Sequence, residues 1–408
     1  MQMQILMLSP EAPYPLHGGG AFRTASLVHF FARFAAVDLI LLSLHEAPAL
    51  PAGLVRNQHT IRLPEHGRGR AARYARNARR SIRGVPPLID RFAGFERQIE
   101  EAVAGRRYDL GVVEHFWCAP YIHQMERFCN RTVLNLHNIE SVLHERCAGM
   151  GGEKLVRLGH RRFAGAAQKL ESTLLPRYSS ILTASEEDAR RVRQIAPAAR
   201  VHVYPNALPS VEMPRFRELP WVIFTANFEY HPNIDAVQFL VREIWPLVRM
   251  RSPELRLRLV GRNDAFIRHL VPAGSAGETA IEVTGPVEDA LTEIAQARIV
   301  VAPLRAGSGT RLKILEAWAA GRCVVATSLA AEGLAARDGA NIAIEDDPSA
   351  FAARLSELAG NAAERARLGD AGRRTFEDKY SWQTVWESLN IDLQLTNVSG
   401  LNGYTGNF

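Results

Sequence analysis

Short apolar runs alternate along the chain with longer segments of helical periodicity, a pattern typical of a parallel α/β architecture. In the first half, the runs at 5–8, 37–42, 110–113, 133–136, 181–183 and 201–203 predict strands. Amphipathic segments such as 21–34 and 163–176 predict helices between these strands. The first half therefore reads as one α/β domain.

A second series of the same kind follows a turn-rich stretch at 205–220. Its predicted strands are 221–225, 255–260, 281–284, 299–302, 323–326 and 340–344, with helices such as 234–249 and 286–297. We therefore expect two Rossmann-like α/β domains, 1–207 and 208–380, facing each other across a cleft. An amphipathic helix at 381–395 is expected to pack back toward the first domain, and the Asn- and Gly-rich tail at 396–408 to be flexible.

Composition narrows the class of protein. The chain has 408 residues, 47% of them hydrophobic, and a net charge of +6. This mildly basic balance is compatible with anionic substrates or a membrane surface, but it is too weak to indicate a nucleic-acid partner. Four cysteines without a C-x-x-C pair indicate neither a zinc site nor a disulfide framework. We expect a cytoplasmic protein whose N-terminus is a buried strand rather than a signal peptide.

The most informative candidate chemistry lies where a predicted strand leads through Gly307 into a helix. This helix opens with Arg311 and Lys313, although cations in a first turn cost roughly 0.3–1 kcal/mol each. A bound phosphate or diphosphate would remove that cost. Glu316 lies on the same helix face and suits a ribose diol, so the segment predicts a nucleotide site. The alternative is an exposed helix with a Lys313–Glu316 surface pair.

Four further candidates lie at predicted strand ends or turns. His137, in LNLHNIES, is either an active-site residue or a buried histidine satisfied by the backbone. His115, in EHFWCAPY, is a weaker candidate for lining an acceptor site. The loop containing Gly19 and Gly20 either lets a ligand approach the backbone or is simply flexible. Glu332 either faces the donor or belongs to an ordinary turn.

The ordered set of motifs in the second half resembles the GT4-like, group 1 glycosyltransferases. The motifs are FTANFEYHPNIDAVQFL (224–240), LRLVGRN (257–263), VTGPVED (283–289), the glycine loop with its helix, AAEGL (330–334) and the closing YSW (380–382). The first half is similar more loosely, through its glycine loop, the strand-end histidine and YPNAL (204–208). The resemblance covers roughly 200–390.

The resemblance implies a GT-B fold and transfer of a sugar from a nucleoside-diphosphate sugar with retention of anomeric configuration. The second domain would bind the donor and the first the acceptor, a glycan, a lipid-linked glycan or a small molecule. The resemblance implies a catalytic role for His137, and the cations Arg311 and Lys313 are further catalytic candidates. The resemblance implies donor contacts for Gly19, Gly20, Gly309, Thr310 and Glu316, and the further donor candidates are Asn227, Gly307, Ser308 and Glu332.

Two departures from the family pattern stand out. Ser308 occupies the first position of the family's E-x7-E pair, and the stretch from Asn227 lacks the Arg and Lys that many relatives place there. We hypothesise that Arg311 and Lys313 neutralise the diphosphate instead. We expect no metal and no cofactor beyond the donor co-substrate, because the sequence has no D-x-D motif or evident His/Asp cluster.

Seven arginines occur in GRGRAARYARNARRSIRG (67–84), the Arg68–Arg83 region. They form either a solvated basic face or a contact with an anionic membrane or lipid-diphosphate acceptor.

Two other functions are also compatible with the sequence. One is a nucleotide-sugar epimerase or phosphorylase, and the other a non-catalytic sugar-nucleotide-binding protein. A nicotinamide dehydrogenase is disfavoured because no G-x-G-x-x-G follows the first strand.

Overall fold

The computed structural model of the chain describes residues 2–16, 18–65, 69–149, 154–214, 216–272, 280–307 and 312–393. The chain divides into two compact units. Unit 1 is Met1–Asn206 with the chain from Val385 onward, and unit 2 is Ala207–Thr384. Each unit contains one parallel sheet, as the alternating pattern predicts. The roles assigned to the two predicted domains stay predictions.

Unit 1 has a seven-stranded sheet in the order β3-β2-β1-β4-β5-β6-β7. Its strands are β1 Met3–Ser9, β2 Ala35–Ser43, β3 Asn57–Arg62, β4 Tyr108–Glu114, β5 Cys129–Asn135, β6 Ser180–Thr183 and β7 Val201–Val203. Its helices are α1 Gly19–Ala32, α2 Arg70–Arg83, α3 Pro87–Phe92, α4 Glu96–Val103, α5 Ile122–Phe128, α6 Glu140–Gly149, α7 Lys154–Leu174 and α8 Glu186–Ile195.

Unit 2 has a six-stranded sheet in the order β10-β9-β8-β11-β12-β13. Its strands are β8 Leu219–Thr225, β9 Arg256–Val260, β10 Ile281–Gly285, β11 Ala297–Ala302, β12 Val324–Ala326 and β13 Ala343–Ile344. Its helices are α9 His231–Phe239, α10 Trp245–Arg251, α11 Ala290–Gln296, α12 Leu312–Ala319, α13 Ser328–Ala331, α14 Pro348–Gly360 and α15 Ala362–Lys379, and the last helix, α16 Trp382–Asp392, leads into unit 1.

The central strands read as continuous apolar runs because they are buried on both faces. Ile5, Met7 and Leu8 of β1, like Val300 and Val301 of β11, are completely buried. In each sheet the chain reverses its order beside the first strand, between β1 and β4 and between β8 and β11. Open parallel sheets bind ligands beyond the carboxyl ends of strands at such a reversal.

Several helices begin with a side-chain cap that satisfies a free backbone N–H. Ser185, Asp289 and Asp347 cap α8, α11 and α14 in this way. In contrast, α1 begins at Gly19 without a side-chain cap, and neither α1 nor α12 has an acidic residue in its first turn. The N-terminal amides and dipole of α12 therefore favour an external anion.

The closing segment of the chain contacts unit 1 through α16. The indole Nε1 of Trp386 donates hydrogen bonds to the backbone carbonyl and the hydroxyl of Ser26 in α1. The predicted flexible tail at 396–408 lies outside the described residues. Among the helices that the structure describes, none combines the length and the apolar character needed to cross a membrane.

Candidate functional site

Three chemically active side chains lie at one edge of the sheet in unit 1. Glu11 follows β1, His115 follows β4 and His137 follows β5. These three strands are neighbours in the sheet and parallel, so their carboxyl ends meet at the same edge. The sequence predicts His115 and His137 at this position, and the structure brings them together: their ring centroids lie 3.4 Å apart.

His137 is paired with a buried carboxylate. Its Nε2 lies 2.8 Å from Oε2 of Glu114, the last residue of β4, whose side chain is fully buried. Burial raises the pKa of Glu114 to about 7, against the opposing charges of His115 and Arg23. Burial also holds the pKa of His137 well below its usual range, helped by the charges of His115 and Arg23. This shift favours the neutral form of the His137 ring.

Arg23 in α1 connects this pair to the rest of unit 1. It is 2% exposed, and its guanidinium donates to Oδ1 of Asn135 at 2.9 and 2.6 Å and to Oδ1 of Asn206 at 3.0 Å. Asn135 in turn donates from Nδ2 to Oε2 of Glu114 at 2.9 Å. A buried guanidinium so fully bonded fixes the orientation of Asn135 and, through it, of Glu114.

His115 sits in a backbone conformation that is unfavourable for its residue type. Its φ of 62° lies in the region that favours glycine, and holding a non-glycine residue there costs roughly 1–3 kcal/mol. Its ring stacks on Trp117 with centroids 4.2 Å apart, and its Nε2 lies 3.4 Å from Oε2 of Glu11. Burial alone would raise the pKa of Glu11, but His115 and the charge of His137 lower it to about 2.

The packing of unit 1 itself requires glycine at the start of α1. Gly18 caps α1 with a φ of 88°, and Gly19 and Gly20 form the first turn of the helix. A Cβ added to Gly20 would lie 1.3 Å from Oε2 of Glu11, so this glycine makes room for the Glu11 carboxylate. The predicted contacts of Gly19 and Gly20 with a donor stay predictions.

A second buried carboxylate supports the same edge. Trp117 donates from Nε1 to Oε1 of Glu140 at 2.8 Å, and its ring also stacks on Phe92. Burial raises the pKa of Glu140 to about 7, with a lowering contribution from the Trp117 hydrogen bond. The aromatic surface formed by Trp117 and Phe92 thus adjoins His115.

In unit 2, Lys313 lies in the first turn of α12, as the sequence predicts. Its Nζ is 3.4 Å from Oδ1 of Asn233 and 5.4 Å from the centroid of the Phe224 ring. Nδ2 of Asn233 donates to the backbone carbonyl of Asn227 at 2.9 Å. One chain of contacts therefore joins the two predicted donor residues, Asn227 after β8 and Lys313 after β11.

Glu316 lies one turn further along α12. Burial raises its pKa, and the charge of Lys313 lowers it, so the two side chains interact electrostatically in unit 2. Gly307 has a φ of 108°, a backbone conformation that glycine alone adopts easily. Glu332 is half-buried at the end of α13. Ser308, Gly309, Thr310 and Arg311 lie outside the described residues.

The described residues include one group of potential metal ligands. Glu11, His115 and His137 each offer one ligand atom, and these three atoms lie within 4.8 Å of one another. The rings of His115 and His137 are stacked nearly parallel, however, so their in-plane lone pairs cannot converge on one ion. The expectation that the protein needs no metal stays a prediction.

Sequence reasoning did not identify Glu11, Arg23, Glu114, Trp117 or Asn233. Two of them left a signal: Arg23 is a single cation among the apolar residues of α1, and Glu114 is a charge ending an otherwise apolar strand. Glu11 and Asn233 lie in polar stretches, where one residue does not stand out from its neighbours.

Comparison with solved structures defines the class of fold. The chain matches sucrose-phosphate synthase from Thermosynechococcus elongatus with a TM-score of 0.73 at 15% identity, covering 98% of this chain and 100% of the other. It matches Alr3699/HepE from Anabaena, solved in complex with UDP, with a TM-score of 0.64 at 14% identity, covering 96% and 100%. The predicted GT-B fold is confirmed.

Comparison of sequences matches part of the chain to one family. Residues 219–361 match the family model of group 1 glycosyl transferases, a segment that includes Asn227, Lys313 and Glu316. This segment lies in unit 2, so the resemblance that the sequence predicts is confirmed there, and the match supports the predicted class of enzyme.

Two curated relatives extend this comparison. The chain is 29% identical over 204 residues to phosphatidyl-myo-inositol mannosyltransferase from Mycobacterium tuberculosis, covering 48% of this chain and 49% of the relative. It is 23% identical over 172 residues to an uncharacterized 44.6 kDa protein in the cps region of Klebsiella pneumoniae, covering 41% and 44%. The chain thus spans about half the length of the curated relatives it matches.

Proposed function

We propose that the protein is a retaining glycosyltransferase that transfers a sugar from a nucleoside-diphosphate sugar to an acceptor hydroxyl without requiring a metal ion. One observation carries this proposal. The segment that matches group 1 glycosyl transferases is the segment that places Lys313 and Glu316 together after β11, at the reversal of the unit 2 sheet.

Unit 2 binds the donor in this proposal. Lys313 and Arg311 neutralise the diphosphate, and the loop of Gly307, Ser308, Gly309 and Thr310 offers it backbone amides. Glu316 accepts hydrogen bonds from the ribose hydroxyls. Asn227 and Glu332 complete the donor contacts.

Charge development explains why no metal is needed. Breaking the sugar–phosphate bond places negative charge on the leaving diphosphate, and fixed cations with oriented amides stabilise that charge. The first turn of α12 offers Lys313 and the positive end of the helix dipole. Both are in place before the reaction, so they need no reorganisation during it.

Unit 1 contributes the catalytic histidine and the acceptor contacts. His137, neutral and held by Glu114, hydrogen-bonds a hydroxyl of the donor sugar rather than acting as a nucleophile. Gly19 and Gly20, at the uncapped start of α1, let backbone amides approach the donor. His115, at the same edge of the unit 1 sheet as His137, contributes to the acceptor contacts.

A thermal-shift screen of nucleoside diphosphates and their sugars tests donor binding. A ligand at 100 times its dissociation constant adds about 2.7 kcal/mol to the free energy of unfolding, which raises the melting temperature. We expect one base to stabilise the protein more than the others. If no nucleoside diphosphate raised the melting temperature, the proposal would be wrong.

Measuring turnover distinguishes the proposed glycosyltransferase from two alternatives. A nucleotide-sugar epimerase would convert the donor without any acceptor, and a phosphorylase would require phosphate for the reverse reaction. A non-catalytic binding protein would bind the donor but release no nucleoside diphosphate. Release of the diphosphate with transfer to an acceptor supports the glycosyltransferase alone.

The acceptor is a glycan, a lipid-linked glycan or a small molecule, and α2 favours one near an anionic membrane surface. Arg79 and Arg83 are exposed on this helix, and the side chain of Ile82 is 83% exposed beside them. Exposed cations next to an apolar side chain suit an anionic lipid surface. Sedimentation with liposomes tests this contact: we expect binding to vesicles containing phosphatidylglycerol and not to pure phosphatidylcholine, and equal sedimentation with both would refute it.

A further inference from the structure

His137 and Glu114 form a hydrogen-bonded pair in which the place of one hydrogen decides what His137 can bind. Nε2 of His137 lies 2.8 Å from Oε2 of Glu114, whose side chain is fully buried. A neutral imidazole carries a hydrogen on one ring nitrogen and a lone pair on the other. We propose that Glu114 is a positioning residue that keeps this hydrogen on Nε2, so that Nδ1 of His137 can only accept a hydrogen bond from a ligand.

The orientation of Asn135 defines the role of Glu114. A guanidinium has donors only, and Nε and Nη2 of Arg23 both donate to Oδ1 of Asn135, at 2.9 and 2.6 Å. The amide of Asn135 cannot turn over, because its Nδ2 would then face two donors. Nδ2 therefore faces Glu114 and donates to Oε2 at 2.9 Å. Oε2 of Glu114 is thus an acceptor.

The buried charge of Arg23 favours an ionised Glu114. Arg23 is 2% exposed, and a buried cation requires a compensating anion. Burial raises the pKa of Glu114 and lowers that of Arg23, and the attraction between their charges opposes both shifts. The hydroxyl of Thr24 is a more distant donor, 3.5 Å from Oε2. An oxygen surrounded by these donors is a carboxylate oxygen, so Nε2 of His137 donates to it.

Nδ1 of His137 is the ring nitrogen that remains for a ligand. The two nitrogens lie on different edges of the ring, so Nδ1 points away from Glu114. It makes no hydrogen bond with any residue that the structure describes. The ring of His115 stacks on one face of the His137 ring, with centroids 3.4 Å apart, and helps to hold its plane. A ligand therefore meets a lone pair in a fixed direction.

A lone pair in this position selects a ligand group that carries a hydrogen. In the transfer reaction proposed above, the sugar group that faces His137 must be a hydroxyl or an amine. A fluorine or a hydrogen in its place cannot donate, and it would leave Nδ1 unpaired. Such an analogue should bind roughly 5- to 150-fold more weakly, the range for leaving a buried acceptor without its partner. This selection rests on the proposed function, whereas the tautomer of His137 does not.

Nitrogen-15 nuclear magnetic resonance of the histidine-labelled full chain tests the tautomer without any ligand. Ring nitrogens with and without a hydrogen have well-separated chemical shifts, and the signal lost in His137→Gln assigns the residue. We expect a hydrogen on Nε2 and none on Nδ1. A hydrogen on Nδ1, or on both nitrogens, at pH 7.5 would overturn the proposal.

Three variants separate positioning by Glu114 from a merely structural role. Glu114→Leu removes the acceptor and should give a mixture of both tautomers. Glu114→Gln keeps an acceptor oxygen for Asn135 and His137, so it should restore the Nε2–H form. Glu140→Gln changes the other buried carboxylate at this edge, which bonds Trp117, and should leave the tautomer unchanged. Circular dichroism checks that each variant folds. A His137 signal unchanged in Glu114→Leu would contradict the role of Glu114.

Isothermal titration calorimetry tests the selection, using the nucleoside-diphosphate sugar that raises the melting temperature most and its deoxy and deoxyfluoro analogues. At the sugar position that faces His137, both analogues should bind equally weakly, and His137→Ala should remove their difference from the hydroxyl sugar. If the fluoro analogue bound there as well as the hydroxyl sugar, His137 would be a donor and the proposal would be wrong. Failure of every nucleotide sugar to bind would refute the proposed function instead, and the tautomer measurement would still decide the role of Glu114.

Discussion

Replacing Lys313 by methionine removes the positive charge from the first turn of α12 while keeping most of the side chain's length and its packing near Phe224. The ammonium group, 3.4 Å from Asn233 and 5.4 Å from the Phe224 ring, is held in place before any ligand binds. Hydrogen bonds to charged groups contribute roughly 1.5–3 kcal/mol. Lys313→Met should therefore weaken binding of a nucleoside diphosphate by roughly 10- to 150-fold.

Comparing the binding of a nucleoside with that of its diphosphate distinguishes contacts to the diphosphate from contacts to the ribose. If Lys313 contacts only the diphosphate, Lys313→Met should leave binding of the corresponding nucleoside unchanged. Glu316→Gln should weaken the nucleoside and the nucleoside diphosphate alike, by roughly tenfold, because both contain the ribose diol. Removing Lys313 also removes the charge that lowers the pKa of Glu316, so the diphosphate affinity of the variant should fall further at acidic pH.

Isothermal titration calorimetry of both variants with the two ligands supplies these affinities. Lys379→Met, at an exposed lysine in the last turn of α15, is the matched control and should bind as the parent protein does. The assignment of Lys313 to the diphosphate would be refuted if its variant bound the diphosphate normally, or lost nucleoside and diphosphate binding equally.

Three further substitutions test the framework around the site. Arg23→Met should lower the free energy of unfolding by about 3 kcal/mol in urea titrations, because it leaves buried acceptors unsatisfied. Glu140 has its pKa raised by burial from 4.5 to about 7, so its protonated form stabilises the fold at low pH and this stability is lost as the pH rises through 7. Glu140→Gln should therefore reduce the loss of stability between pH 4.5 and 7.5 by up to about 3 kcal/mol, measured by urea unfolding at several pH values. Gly372→Ala should destabilise unit 2 by about 1–3 kcal/mol in thermal melts, since its Cβ would lie 2.3 Å from the Trp318 ring, whereas Gly360→Ala points into open space and should be tolerated.

The fold could be predicted largely from periodicity, because buried parallel strands read as apolar runs. The exception in unit 1 is β3, whose sequence NQHTIR contains no such run. This strand pairs only with β2 at the sheet edge, and only Ile61 in it is buried, so its burial leaves little trace in the sequence. Helix α7 begins at Lys154, well before the predicted start at 163, because its first turns form no buried apolar stripe: Val156 and Leu158 there are exposed.

Site residues could be predicted only where a single residue, by its type and its position after a strand, indicated a function. His137 and Lys313 each followed a predicted strand, and strand ends of a parallel sheet share an edge. The partners of His137 were out of reach, because the pairing of Glu114 with Asn135 depends on the register of β4 against β5. Similarly, the reason for Gly20 becomes visible only when Glu11 folds against it.

Following the sugar through the reaction tests whether the protein is a retaining, metal-independent glycosyltransferase. Nuclear magnetic resonance of the purified chain, incubated in EDTA with an acceptor panel and the nucleoside-diphosphate sugar that raises its melting temperature most, reports both release of the diphosphate and the anomeric configuration of the product. We expect diphosphate release and a product with the configuration of the donor. An intact donor, an epimerised donor, an inverted product or a reaction that needs added metal would contradict it.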